Sequence, residues 1–310
     1  MRVLITGGAG FIGSHVTEAL LARGHEVLVV DDLSTGHRAN VPDGARFIEL
    51  DLRVVSHLDE VFTAFVPEVV CHQAAQSSVA VSTREPVRDA EINIIGSVAL
   101  MSSCVAHRVT RLVFASTGGA IYGEVPEGMR ASEDRPPLPL SPYACAKLAV
   151  ESYLRAFRHE HGLASTILRY ANVYGPRQDP SGEAGVVAIF ARHIQAGRPL
   201  QINARREQGD DGCIRDYVHV SDVVRANIAA IEGRLSDPLM NVCTGVATST
   251  RALATQLARH LGAYDLRPGP HRPGDVERAV LDPSRFEAAI GTPMALGEGL
   301  AETLRWFAGN

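Results

Sequence analysis

Arg2-Val3-Leu4-Ile5-Thr6-Gly7-Gly8-Ala9-Gly10-Phe11-Ile12-Gly13-Ser14 opens the chain and decides its fold. Residues 2 to 6 form an apolar run of strand length, and residues 14 to 23 carry a helical pattern. Between them, the glycines at 7, 10 and 13 let the turn tighten, let backbone approach a pyrophosphate and let the helix pack on its strand. The helix start presents free N–H groups to such an anion. A glycine run alone makes only a turn, but a strand before it and a helix after it favour dinucleotide binding.

The next buried strand, 26 to 30, ends at Asp31-Asp32, about twenty residues past the glycine turn, where a ribose diol lies in such folds. A carboxylate there accepts from the 2′-OH and repels a 2′-phosphate, so the expected cofactor is NAD rather than NADP. Strand-like runs recur at 46 to 50, 68 to 72 and 111 to 115, with helical patterns near 55 to 65 and 86 to 107. This alternation predicts an α/β protein with a Rossmann-type, doubly wound parallel sheet and a ligand crevice at the strand carboxyl ends. Asp51-Leu52, Gln73-Ala74-Ala75 and Ser116-Thr117 follow those strands and form the expected cofactor wall. Beyond about residue 171 the alternation fades and helices near 184 to 196, 221 to 233, 249 to 262 and 296 to 308 dominate. The expected division is a cofactor domain over 1–171 and a smaller, mixed α/β substrate domain over 172–310, with segments returning to the first.

Ser141-Pro142-Tyr143-Ala144-Cys145-Ala146-Lys147 reads as a helix start that sets a phenol and an amine four residues apart on one face. A lysine ammonium beside a tyrosine lowers the phenol pKa, which suits a general base for an alcohol proton. Of the 30 Lys+Arg residues 29 are arginine, and Lys147 is the only lysine. Such bias points to a place where a compact, tunable charge serves and a planar guanidinium does not. Cys145 points to another face and is expected to pack.

With 310 residues, 45% hydrophobic and 21% charged, the chain has the composition of an ordinary globular protein and room for a large core. A net charge of −5 leaves no basic footprint, so nucleic acid is not an expected partner. The apolar run at the amino terminus breaks at Gly7-Gly8, short of a secretory pattern, and no membrane span is expected. The expected compartment is the cytoplasm. Cys71, Cys104, Cys145, Cys213 and Cys243 lack a Cys-x-x-Cys spacing, which argues against disulfides and zinc. His159 and His161 face different directions on a helix, and no metal is expected.

With these motifs in place, the sequence resembles the extended short-chain dehydrogenase/reductase family of NAD-dependent epimerases and dehydratases. Supporting strings are Thr6-Gly7-Gly8-Ala9-Gly10-Phe11-Ile12-Gly13-Ser14-His15, His72-Gln73-Ala74-Ala75, Asn93-x-x-Gly96, Ser141-Pro142-Tyr143, Leu168-Arg169-Tyr170-x-Asn172-Val173-Tyr174-Gly175-Pro176-Arg177, Arg215-Asp216-Tyr217-Val218-His219-Val220-x-Asp222 and Arg272-Pro273-Gly274-Asp275. The resemblance implies that Phe11 and Ile12 contact the pyrophosphate. It places Asp31, with Asp32, Leu33, Ser34, Thr35 and Gly36, at the adenosine ribose, and Asp51-Leu52 at the adenine. Asn93 would organise a network near the active site, and Ser116 and Tyr170 would line the cofactor. Thr117, Tyr143 and Lys147 match the family's catalytic Ser/Thr-Tyr-Lys set. Asn172 matches a diphosphate ligand, Val187 and Asn203 lie where uracil is held, and Arg215, Arg272 and Asp275 match contacts to diphosphate and uridine ribose.

Within that family the chain is similar to bacterial epimerases that interconvert UDP-glucose and UDP-galactose. The implied reaction removes the sugar 4-OH proton to Tyr143 with hydride transfer to NAD, turns the 4-keto sugar about its diphosphate, and returns hydride to the other face. A 4,6-dehydratase carries an Asp-Glu pair after its Ser/Thr, whereas this chain has Gly118-Gly119, and neither glycine can move a proton. Gly118-Gly119 also adds one residue before Tyr122 relative to many epimerases, which bears on the placement of Thr117. Two alternatives stay open: a UDP-glucuronate 4-epimerase or decarboxylase, and a non-catalytic NAD-binding sensor. The resemblance also implies a homodimer through helices near 86 to 107 and 141 to 161, with Ile92, Ile95, Val98, Val150, Tyr153 and Leu154 on the apolar faces. Ala279, where related enzymes carry a large residue or a small one, leaves room for an N-acetylated sugar.

Overall fold

The computed structural model describes residues 1–180, 185–262, 264–271 and 276–309. Its central sheet has seven strands, in the order Leu239–Val242, β6 (Ala164–Tyr170), β5 (Arg111–Thr117), β4 (Val69–His72), β1 (Arg2–Thr6), β2 (Glu26–Asp31) and β3 (Arg46–Glu49). β1 pairs in parallel with β2, Arg2 opposite Glu26, and with β4, Val3 opposite Val69. Strand order therefore reverses at β1, and the crevice beyond the carboxyl ends of β1 and β4 is the place where such sheets take a ligand. Val3, Leu4 and Ile5 are buried on both faces because helices α1 (Phe11–Leu21), α2 (Val55–Phe65), α5 (Gly96–Ala106) and α7 (Pro142–His161) cover the sheet. Leu4, Leu28, Leu58, Phe62, Val70, Leu100, Phe114 and Leu154 make one continuous core.

The expected helix over 86 to 107 is present as one helical run, Pro86–Ala106, with a π-helical turn inside it. Short helices α3 (Val79–Arg84) and α4 (Pro86–Ala90) lead into a π-helical turn, Glu91–Ile95, before α5 begins. Side-chain bonding accounts for the turn. The Asn93 amide closes on the Gln76 backbone in both directions, Nδ2 to the Gln76 carbonyl and the Gln76 N–H to Oδ1, each at 2.9 Å. Ser97 Oγ in turn donates to the Asn93 carbonyl at 2.6 Å. Such bulges accompany functional positions in helices.

Helix α7 starts where its sequence dictates. Ser141 Oγ accepts from the Ala144 N–H, Pro142 occupies the first turn, and Gly162, at φ +70°, ends the helix with its N–H on the Arg158 carbonyl.

The chain forms two compact units. The first holds residues 1–117, 141–169 and 223–240; the second holds 118–140, 170–222 and 241–310. Against the expected division at 171/172, residues 118–140 lie in the second unit, starting with helix α6 (Gly118–Ile121). Its backbone explains this: Val125 N–H bonds to the Arg278 carbonyl and Ala131 N–H to that of Val280. The second unit has its own core of Tyr174, Phe190, Leu200, Leu253, Leu257, Leu300 and Leu304.

Two surface expectations need correction. Val150 and Leu154 are buried in the sheet-side core, so of the proposed α7 face only Tyr153 is exposed, with Ile95 and Val87 exposed on the neighbouring segment. By length and composition the helical run Pro86–Ala106 is apolar enough to cross a membrane, contrary to the expectation that no stretch would be, and half of its window is buried inside the fold.

Candidate active site

The glycine turn is a backbone cradle. Gly7 has φ +71°, and a Cβ there would lie 2.5 Å from the Ala74 nitrogen; a Cβ on Gly13 would run into the Gly7 carbonyl. No side chain caps α1 at Gly10, which leaves the helix start to backbone N–H groups alone. Asp31, at the end of β2, is buried and accepts from the Ala9 and Leu33 N–H groups, both at 2.9 Å. Burial raises its pKa against those two bonds. The turn that follows folds back, with Ser34 N–H and Oγ on Asp32 Oδ1, a Gly36 position hard against Asp31 and Ala9, and the His37 N–H on the Ala9 carbonyl. Thr35 is exposed. The space kept by Gly7 and Gly13 and the carboxylate closing it fit a dinucleotide with an unphosphorylated ribose.

The wall from β4 is fixed through β1. Gln73 N–H bonds to the Thr6 carbonyl, Ala74 N–H to Thr6 Oγ1, and Gln73 Nε2 to Asn227 Oδ1 at 2.9 Å. Asp51 is held in a two-pronged pair by Arg53, which lowers its pKa and commits its carboxylate. Leu52 is partly buried against the core.

At the end of β5, Thr117 lies within hydrogen-bonding reach of the Tyr143 phenol, and that contact favours the phenolate. Lys147, 4% exposed, donates from Nζ to the Ala115 carbonyl at 2.9 Å and stands 5.8 Å from the Tyr143 ring centroid. The expected lowering of the tyrosine pKa by Lys147 is not what this geometry gives. Desolvation, with a smaller push from the Asp89 charge, outweighs the Thr117 bond and takes Tyr143 up to about 12. Lys147 is brought down to about 8 by burial, opposed by Asp89 and Glu151.

Beneath this pair lies a network that the sequence motifs do not name. Ser116, expected at the cofactor, donates its hydroxyl to Glu151 Oε1 at 2.6 Å, and Arg169 grips both oxygens of Glu151 at 2.9 and 2.6 Å. Glu151 stands one helical turn past Lys147 on the same face, and that spacing was the only available signal.

In the second unit, Asn172 opens a short strand, and a Cβ on Gly119 would sit 3.0 Å from its Oδ1. Arg215 is half-buried and pairs across from Ala279, itself 3% exposed. Asn203 Oδ1 accepts from Gln201. Tyr170 is buried. Val187, expected near the uracil, is 1% exposed and belongs to the core of this unit. Arg272 and Asp275 lie outside the described residues. The organising group here is Asp216, whose carboxylate gathers the Thr244, Gly245 and Leu281 N–H groups and the Thr244 hydroxyl.

Reversed strand order at a glycine turn, an acidic end to β2 and a Tyr-x-x-x-Lys helix after β5 define a dinucleotide-dependent α/β enzyme class. The chain belongs to the NAD dependent epimerase/dehydratase family, which it matches over residues 3–243. It is 44% identical to a UDP-glucose 4-epimerase of Mycolicibacterium smegmatis, over 99% of this chain and 98% of that protein. Among solved structures it is similar to the Thermus thermophilus UDP-glucose 4-epimerase in complex with NAD, with TM-score 0.96, 50% identity, and coverage of 100% of this chain and 99% of that one. The Thermotoga maritima UDP-glucose 4-epimerase with UDP-glucose gives 0.93 and 44%, with the same coverage.

Proposed function

We propose that this chain is an NAD-dependent isomerase that interconverts UDP-glucose and UDP-galactose by transient oxidation at sugar C4. The observation that carries the choice of reaction is at Gly118-Gly119: the two positions that follow Thr117 carry no acid or base, and a Cβ on Gly119 would already sit 3.0 Å from Asn172 Oδ1. Epimerisation needs none, whereas dehydration does. The relatives are named for the UDP-glucose reaction, which disfavours the uronate enzymes, and the presence of Thr117, Tyr143 and Lys147 disfavours a non-catalytic sensor.

NAD would be held by the turn Gly7 to Gly13, by Asp31 and by the Gln73-Ala74-Ala75 wall. When bound, it supplies the hydride acceptor and donor for C4 and, in its oxidised form, a positive ring charge. In its phenolate form Tyr143 Oη takes the proton of the sugar 4-OH and gives it back, Thr117 orients that phenol, and Lys147 holds positive charge beneath it. Asn172 and Arg215 hold the diphosphate, because a side-chain amide and a guanidinium fork match phosphate oxygens. Purified protein incubated with UDP-galactose and resolved by chromatography should yield UDP-glucose; its absence overturns the reading.

The finer parts of the proposal are a cytoplasmic homodimer and acceptance of N-acetylated sugars. Exposed Val87, Ile95 and Tyr153 support the dimer, which sedimentation at micromolar concentration tests. Ala279 supports the sugar breadth. A fitted acetamido group avoids an overpacking cost of about 1–3 kcal/mol, so Ala279→Tyr should lower kcat/KM for UDP-N-acetylgalactosamine by about 10- to 100-fold and spare UDP-galactose.

A further inference from the structure

Lys147 is a buried ammonium whose one hydrogen bond goes to a neutral carbonyl. A buried cation needs a counter-charge, and the groups that face it are few. On its own helix Glu151 stands one turn away, but its carboxylate is already taken by the Arg169 fork and Ser116. His72, from β4, is bonded to Thr6 Oγ1 at 2.7 Å and Ser97 Oγ at 2.8 Å and is neutral, pushed down to about 3 by burial. Arg111 of β5 bonds the Ile231 carbonyl, and α5 carries no charged residue. From the segments packed against α7, Arg84, Glu85, Arg88 and Glu91 are exposed.

Asp89 remains. It sits on α4, which packs against α7, and is 1% exposed. Its hydrogen bonds come from two neutral amides, Gln76 Nε2 at 2.7 Å and Asn93 Nδ2 at 2.9 Å, and both land on Oδ1. No cation bonds it among the described residues, and the one charge it senses is Lys147.

We propose that Asp89 is the counter-ion that keeps Lys147 an ammonium, held in place by the Gln76 and Asn93 amides, and so acts as a positioning residue on the tyrosine base through the lysine. The proposal rests on the reading of Tyr143 and Lys147 as the acid–base pair. Asn93, within the π-turn, bonds both Asp89 and the Gln76 backbone and so ties the two together.

Lys147 makes the test direct, because it is the only lysine in the chain. Protein grown on side-chain 13C-lysine gives one ε-methylene signal, whose shift against pH reads the charge of Lys147 with no turnover required. Its midpoint should lie near 8 in the wild type. Asp89→Asn leaves Oδ1 to accept both amides and removes the charge, so the midpoint should fall by about one to three units, and Asp89→Glu should recover it. The alkaline limb of kcat should move down in parallel, with little change in KM. An unchanged midpoint in folded Asp89→Asn overturns the proposal; if that variant does not fold, Asp89→Ser is read the same way. Wild-type turnover in Tyr143→Phe would instead overturn the acid–base reading while leaving the lysine midpoint where it was.

Discussion

The ends of β1 and β5 are built for binding in opposite ways. After β1 the surface is backbone: Gly7 and Gly13 clear the space, and Asp31, which closes it, is itself held by two backbone N–H groups. After β5 the site is side chain on side chain, with Thr117 on Tyr143, Lys147 over Phe114 and Ser116 and Arg169 on Glu151. A backbone cradle is indifferent to charge and intolerant of a methyl group. A buried side-chain network tolerates small shifts of shape and is ruined by the loss of one charge.

The largest effect expected from this contrast is catalytic. Tyr143→Phe removes the group that moves the proton and leaves the cradle untouched, so kcat should fall by about 10²–10⁴-fold while NAD copurifies as before. Loss of bound NAD in that variant would show that the two strand ends are not separable. Arg169→Met should come next, because it strands the Glu151 carboxylate, whose side chain is 0% exposed. Breaking such a pair costs about 3–5 kcal/mol, read as a shift of the urea midpoint, and Glu151→Gln added to Arg169→Met should recover much of it. If the single and double variants were equally unstable, the network would be shape rather than charge. Gly13→Ala is the counterpart at β1. Its methyl meets a backbone carbonyl, which cannot swing aside as a side chain can, so about 1–3 kcal/mol of strain and a loss of bound NAD are expected. Activity in this variant should return with excess NAD, whereas that of Tyr143→Phe should not.

The same contrast explains what the sequence disclosed. A glycine requirement is local, so the cradle, the acidic end of β2 and the cofactor preference are legible from a dozen residues. Tyr143 and Lys147 are legible because one helical turn joins them. Glu151 and Arg169 are not, because they meet only when helix α7 is laid over β6, and nothing in either segment announces the partner. Asp89 was hidden differently: its i,i+4 spacing to Asn93 is legible on a helix, but its burial and the approach of Gln76 from another segment are not. The Tyr143 pKa went astray for a related reason. Helical spacing reports the nearness of Lys147 but not the desolvation of the phenol, which here is the larger effect.

The smallest expected effect concerns the residue that joins the two regions. His72 reaches Thr6 at the end of β1 through Nδ1 and Ser97 through Nε2, and burial first, then the Lys147 charge, push its pKa from the usual 6.5 down to about 3. The native state therefore keeps His72 neutral in a range where the unfolded chain protonates it. Above about pH 6.5 both states are neutral and the full stability is present; as pH falls below that, the unfolded state gains the proton and stability declines by about 1.4 kcal/mol per unit until the native pKa is reached. Carboxyls such as Asp31 and Asp216, raised by burial, act with the opposite sign, so total stability does not isolate the histidine. A difference does. His72→Gln keeps a donor and an acceptor for the two hydroxyls and removes the titration, so urea unfolding between pH 7 and 5 should fall less steeply in the variant than in the wild type. Equal slopes would mean that His72 is protonated in the fold, and that the link between the β1 cradle and the β5 site carries charge rather than neutral hydrogen bonds.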